Sequence, residues 1–134
     1  MKKNRTEKQI RDHYDSKTTY DPMMAMDYII EGKPLSSKLY NDLIVAPILK
    51  HMDFNEDDIV FDVGCGAGIV ITCIENKVKH IEGLDISERL ISFYQGAAKL
   101  HCSSVMDFDF KEDFYTKIFM TSVSIHFPDF NYFK

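Results

Sequence analysis

Val60-Phe61-Asp62-Val63-Gly64-Cys65-Gly66-Ala67-Gly68 runs from an apolar stretch straight into a glycine-dense turn, and Ile69-Val70-Ile71 continue it. The nearly continuous apolar run Ile59 to Val63 fits a strand covered on both faces. Glycine tolerates positive φ and, lacking a Cβ, lets a ligand approach the backbone, so three glycines at alternate positions predict a loop shaped around something bound. A dinucleotide fingerprint needs its third glycine one residue later, where this chain has Ile69. No GxxxxGK[ST] phosphate loop is present.

Working outward, His80 to Asp85 reads as a second strand that ends in a carboxylate, and Ser87 as the cap of a helix running to about Tyr94, stopped by Gly96. A helix from about Gly68 to Asn76 lies between the two strands. A third strand is predicted around Leu100 to Val105 and a fourth from Lys117 to Ser122. Strands separated by helical patterns imply right-handed crossovers and a parallel, doubly wound α/β sheet, Rossmann-like and of about four strands. Such sheets hold ligands beyond the carboxyl ends of their strands, where Gly64 to Gly68, Asp85, Asp107 and Ser122 all fall. Upstream, residues 1 to about 15 form a frayed or short helix, and Glu31-Gly32-Lys33-Pro34 is a break. Ser36 or Ser37 then caps a helix to roughly Lys50, with Pro47 marking a kink or a division into two.

An acid followed by GxGxG, then Gly83-Leu84-Asp85-Ile86-Ser87, Met106-Asp107 and the segment Lys117 to Asp129 together resemble the class I S-adenosylmethionine-dependent methyltransferases of the small-molecule type. The resemblance implies that Asp62 lies near the cofactor's ammonium group, directly or through water. The backbone of Gly64 and Gly66, within a loop completed by Cys65 and Gly68, would border its methionine portion. Asp85 would accept from both ribose hydroxyls, Ile86 and Met106 would sandwich adenine, and Asp107 would meet its amino edge, with Asp109 as an alternative register. Ser122 would close the fourth strand at the same edge. His126 is a weak candidate for a catalytic base, packing or polar contact being the alternative, so the catalytic residue stays unknown. The tetrad used for adenine and glutamine amide acceptors is absent. Tyr14, Tyr20 and Tyr28 are candidates for an N-terminal lid, against ordinary helix packing. Residues 1–55 would be a helical lid region and 56–134 the cofactor-binding core of one domain.

The family's complete fold usually has seven strands, so a chain with four is expected to be a truncated member. Its fourth strand would be a sheet edge, covered by the aromatic tail Phe127 to Phe133, by another copy in a homo-oligomer, or by a longer polypeptide.

A chain of 134 residues with a formal charge of −5 carries no broad cationic footprint, which makes nucleic acid an unlikely partner. No apolar run approaches a membrane span and none resembles a secretory leader, so the expectation is a cytoplasmic protein without membrane association. Cys65, Cys73 and Cys102 lack CxxC spacing, which argues against a disulfide framework or a metal site. His13, His51, His80 and His101 read as surface or edge residues, and Met23, Met24 and Met26 as core filling rather than pocket lining. The leading function is methyl transfer from S-adenosylmethionine to a small-molecule acceptor. The alternatives are an inactive cofactor-binding remnant that acts through dimerisation or a partner, and a nicotinamide-dependent oxidoreductase, disfavoured by Ile69.

Overall fold

The structure, a computed structural model, describes residues 5–121. Ser122, His126 and the aromatic tail therefore lie outside the described residues. Helices α1 (Glu7–Asp15) and α2 (Pro22–Ala25) lead into a hairpin of two-residue strands, β1 (Ile29–Ile30) and β2 (Lys33–Pro34). Then come α3 (Ser37–Tyr40), a π-helical turn (Asn41–Val45) and α4 (Ala46–Met52). The core follows as β3 (Ile59–Val63), α5 (Ile69–Ile74), β4 (His80–Asp85), α6 (Glu88–Ile91), β5 (Lys99–Cys102) and β6 (Lys117–Met120).

The four core strands lie side by side in the order β5-β4-β3-β6 and every pairing is parallel. In sequence order this is three, two, one, four, the doubly wound arrangement with its reversal between β3 and β6. Strand β3 sits in the middle because it is buried along almost its whole length, from Val60 to Val63. On one face Val60, Val70, Ile71, Ile74, Ile81 and Phe119 form the main apolar core. On the other, Phe61, Val63 and Leu84 pack beneath Val105, Phe108, Phe110 and Tyr115. Among the described residues β6 is an edge, and it leaves Ile118 and Met120 exposed.

Three helices begin where serine or threonine can accept a backbone amide. Thr6 and Gln9 form a reciprocal capping box on α1, Ser36 Oγ accepts from Leu39 N–H, and Ser87 Oγ accepts from Leu90 N–H. Pro47 stands in the first turn of α4, directly after the π-helical turn that separates α4 from α3, a place where its missing amide costs least. The break at Glu31-Gly32 is a tight hairpin turn in which both residues have positive φ, 50° and 75°. The third strand stops at Cys102 and the helix after Ser87 at Ile91, both shorter than the sequence pattern suggests.

Gly83 fixes how closely α5 can lie on the sheet. A Cβ there would stand 2.6 Å from Ile71 Cδ1 and 2.9 Å from the Cβ and Sγ of Cys65. Gly83→Ala should therefore destabilise the fold by about 1–3 kcal/mol, since neither the strand nor the glycine loop can retreat without losing pairing. A chemical denaturation midpoint equal to the parent's would show that the helix is free to shift.

One carboxylate is buried among the aromatic rings. Glu82 is 4% exposed. His80 Nε2 lies 2.9 Å and His101 Nε2 2.6 Å from its oxygens, with Lys111 Nζ at 3.4 Å. Burial alone would raise its pKa, but these hydrogen bonds and the lysine charge win and hold it at about 2. The two histidines thus converge on one acid rather than standing separately at the surface.

Candidate functional site

The carboxyl ends of β3 and β4 bring two acids and the glycine turn together. Asp62, the penultimate residue of β3, lies opposite Gly83 in β4 and Phe119 in β6. It is 2% exposed, and its Oδ1 has no hydrogen-bond partner among the described residues. Desolvation, with Asp85 as a second negative group nearby, pushes its pKa up to about 8. An unpartnered buried carboxyl oxygen is costly, and native structures keep one mainly where function uses it. The buried phenol of Tyr40, edge-to-face against Tyr28 at 5.0 Å, is raised by burial and by the neighbouring Tyr28 and Asp62.

The turn itself is held by its own amides. Gly64 and Cys65 N–H both donate to Leu84 O, at 2.7 and 2.9 Å, and Gly68 N–H closes back on Cys65 O at 2.9 Å. Gly64, Gly66 and Gly68 have φ of 77°, 53° and 71°. That backbone is open to glycine and strained for other residues. Cys65 is buried, and burial raises its thiol pKa, so it is a small filler rather than a nucleophile.

Asp85 ties strand, turn and helix together. Its Oδ2 accepts from Gly66 N–H and its Oδ1 from Ser87 N–H, each at 2.9 Å. Burial raises its pKa more than the amides of Ser87, Gly66 and Ile86 lower it. Each oxygen keeps a second lone pair for another donor. Ile86 packs with Ile10, Tyr14, Ala25 and Leu90, so the N-terminal helix covers this side of the site.

The covering helix is strapped down by contacts far apart in sequence. Asp15 Oδ1 accepts from Ser87 Oγ at 2.6 Å and from Arg89 N–H. The Arg89 guanidinium donates to Lys17 O at 3.1 Å and Thr19 O at 2.7 Å, and stands 4.6 Å over the Phe93 ring. Tyr14 is buried beneath the strap, and desolvation with the charges of Asp27 and Asp85 pushes its pKa up to about 12. Of the other lid candidates, Tyr20 is 91% exposed and Tyr28 packs on Tyr40. Arg89→Ala should leave the core intact yet expose the chain after α1, seen as faster tryptic cleavage at Lys17; equal cleavage rates would mean that the strap adds nothing.

Met106 and Asp107 sit on an exposed turn after β5, with Met106 N–H donating to Ser104 Oγ and Asp107 N–H to Ser104 O. They are not gathered with Asp62 and Asp85 by any hydrogen bond. Sequence reasoning gave no role to Arg89, Asp15 or Tyr40, and no local signal marks them, because their partners lie in distant segments. Among the described residues no group of acids, histidines or cysteines could hold a metal ion.

A family model for a methyltransferase domain matches residues 60–133, more than half of the chain. The chain belongs to the methyltransferase domain family. Its fold is that of class I S-adenosylmethionine-dependent methyltransferases. Magnesium protoporphyrin IX methyltransferase of Synechocystis PCC 6803, solved with S-adenosylmethionine bound, is 19% identical with a TM-score of 0.62, over 91% of this chain and 64% of that one. The YcgJ protein of Bacillus subtilis is 17% identical with a TM-score of 0.60, over 66% and 41%. An uncharacterized RNA methyltransferase of Streptococcus agalactiae is 29% identical over 92 residues, 63% of this chain. This methyltransferase domain spans only 19% of that relative's length. No helix among the described residues is long and apolar enough to cross a membrane.

Proposed function

We propose that this methyltransferase domain binds S-adenosylmethionine between Asp62, the Gly64–Gly68 turn and Asp85, and transfers its methyl group to a small-molecule acceptor. The observation that carries the reading is the Asp62 Oδ1 atom, buried without a partner among the described residues beside a turn whose glycines admit a ligand. An ammonium group is the complementary donor, and a vicinal diol the complementary donor for the remaining lone pairs of Asp85. Ile86, with Met106 and Asp107 on the following turn, would meet the base, and residues 1–55 would act as the lid. Ser122 and His126 belong to the same proposal.

The bound cofactor supplies an already activated methyl group on a sulfonium. The chain's own residues hold that donor in line with a nucleophile and keep water away, and positioning supplies most of the acceleration. The RNA relatives favour a nucleic-acid acceptor, but a net charge of −5 supplies little attraction for phosphates. The inactive-remnant reading keeps the binding and drops the transfer. Calorimetric titration with S-adenosylhomocysteine, with NADH in parallel, tests the binding. Saturable heat from the first alone supports the proposal; heat from NADH alone would make the chain an oxidoreductase.

A further inference from the structure

Within the glycine turn, four of the five backbone amides from Gly64 to Gly68 donate to oxygen: two to Leu84 O, one to Asp85 Oδ2 and one to Cys65 O. The fifth, Ala67 N–H, donates to sulfur. Its partner is Met26 Sδ at 3.4 Å, from a residue 41 positions earlier. The same sulfur fills the space that a side chain at Gly66 would need, 2.8 Å from where its Cβ would stand. A thioether is a weaker acceptor than a carbonyl or carboxylate oxygen, so this amide is the least firmly committed of the five.

The backbone behind Met26 is fixed, and its side chain is partly buried against two of the apolar clusters. Met26 N–H donates to Pro22 O at 3.0 Å, at the end of a helix whose first amides are capped by Asp21. Asp27, next in the chain, has φ of 62°, and its carboxylate is gripped by His13 Nε2 at 2.6 Å and Lys17 Nζ at 2.5 Å from α1 and its C-terminal flank. Burial would raise the Asp27 pKa, but the hydrogen bonds from His13 and Lys17 and the lysine charge keep it low, so the grip persists at neutral pH. What can move is an unbranched, three-bond side chain, half-buried and resting on the turn.

We propose that Met26 is a gate on the cofactor site: its thioether holds the Ala67 amide and the open face of Gly66, and swings aside when the methionine end of the cofactor takes that face. The inference rests on the binding proposed above and adds a regulated entry to it. A gate of this kind lowers the apparent affinity by the fraction of time it stands closed.

The test is calorimetric titration of S-adenosylhomocysteine into the parent, Met26→Ala and Met26→Leu chains, with amide exchange at Ala67 followed by NMR. Met26→Ala should bind about threefold to tenfold tighter, because no closed state remains to be displaced. Met26→Leu keeps the packing volume without an acceptor; its Ala67 amide should exchange faster than the parent's, and its affinity should rise by a smaller factor. Should Met26→Ala fail to fold, the leucine chain carries the same test. Unchanged or weaker binding by the variants alongside a parent that binds would overturn the gate and leave the cofactor site standing. No binding by any of the three would remove both.

Discussion

Replacing Asp62 by asparagine should make the folded chain more stable at neutral pH and less able to hold S-adenosylhomocysteine. The carboxyl pKa is pushed up to about 8 in the folded chain, against about 3.9 for an ordinary aspartate. Between those values the folded state keeps a proton that the unfolded state has lost, so stability falls as pH rises through that window. Asparagine has nothing to ionise and removes this dependence. The gain at pH 7 is roughly 2–4 kcal/mol, measured by denaturant unfolding. The parent should lose stability between pH 5 and pH 8 relative to the variant, and an equal gap at both values would mean that Asp62 is not desolvated.

The same change should weaken S-adenosylhomocysteine binding by roughly 1.5–3 kcal/mol, since the ammonium loses a charged acceptor. Below pH 8 the parent should release a proton on binding, because the cation makes the ionised carboxylate the favoured form. Titration in two buffers of different ionisation enthalpy reads that release directly. The variant should show none. A gain in stability coupled to a loss in affinity is the signature of a group kept for its ligand rather than for the fold.

Asp85→Ala should behave in the opposite way on stability. Its two oxygens hold the amides of Gly66 and Ser87, so removing them detaches the glycine turn and the start of α6 from the end of β4. The loss is roughly 1–3 kcal/mol of stability, partly offset because a half-buried charge disappears. Affinity for S-adenosylhomocysteine should fall by roughly 1.5–3 kcal/mol as well, through the ribose. Asp85→Asn keeps the shape and one acceptor oxygen and should lie between. An alanine variant with parent-like affinity would place the ribose elsewhere.

These two acids also mark how far the sequence could be read. Strand β3 was legible residue by residue because a strand buried on both faces is a nearly continuous apolar run, here ending at a glycine, and β4 because it closes on an acid just before the serine cap of the next helix. The caps at Ser36 and Ser87 were legible because capping is local. That the sheet is parallel and doubly wound followed from alternation and handedness. Less legible was everything set by distant contacts. Nothing near Met26 announces that its sulfur lies on Ala67, and nothing near Arg89 announces the carbonyls of Lys17 and Thr19. Gly83 looked like part of an ordinary strand, yet the approach of Ile71 and Cys65 requires it. His80 and His101 looked like separate edge residues until the sheet brought both to Glu82.

The most direct measurement is a crystal structure of the chain grown with S-adenosylhomocysteine. The ligand's amino group should lie within hydrogen-bond distance of Asp62, its ribose hydroxyls on Asp85 and its methionine portion along Gly64 to Ala67, with the Met26 side chain turned away. A nucleoside bound elsewhere, or a saturated crystal in which Asp62 and Asp85 touch only protein, would contradict this placement.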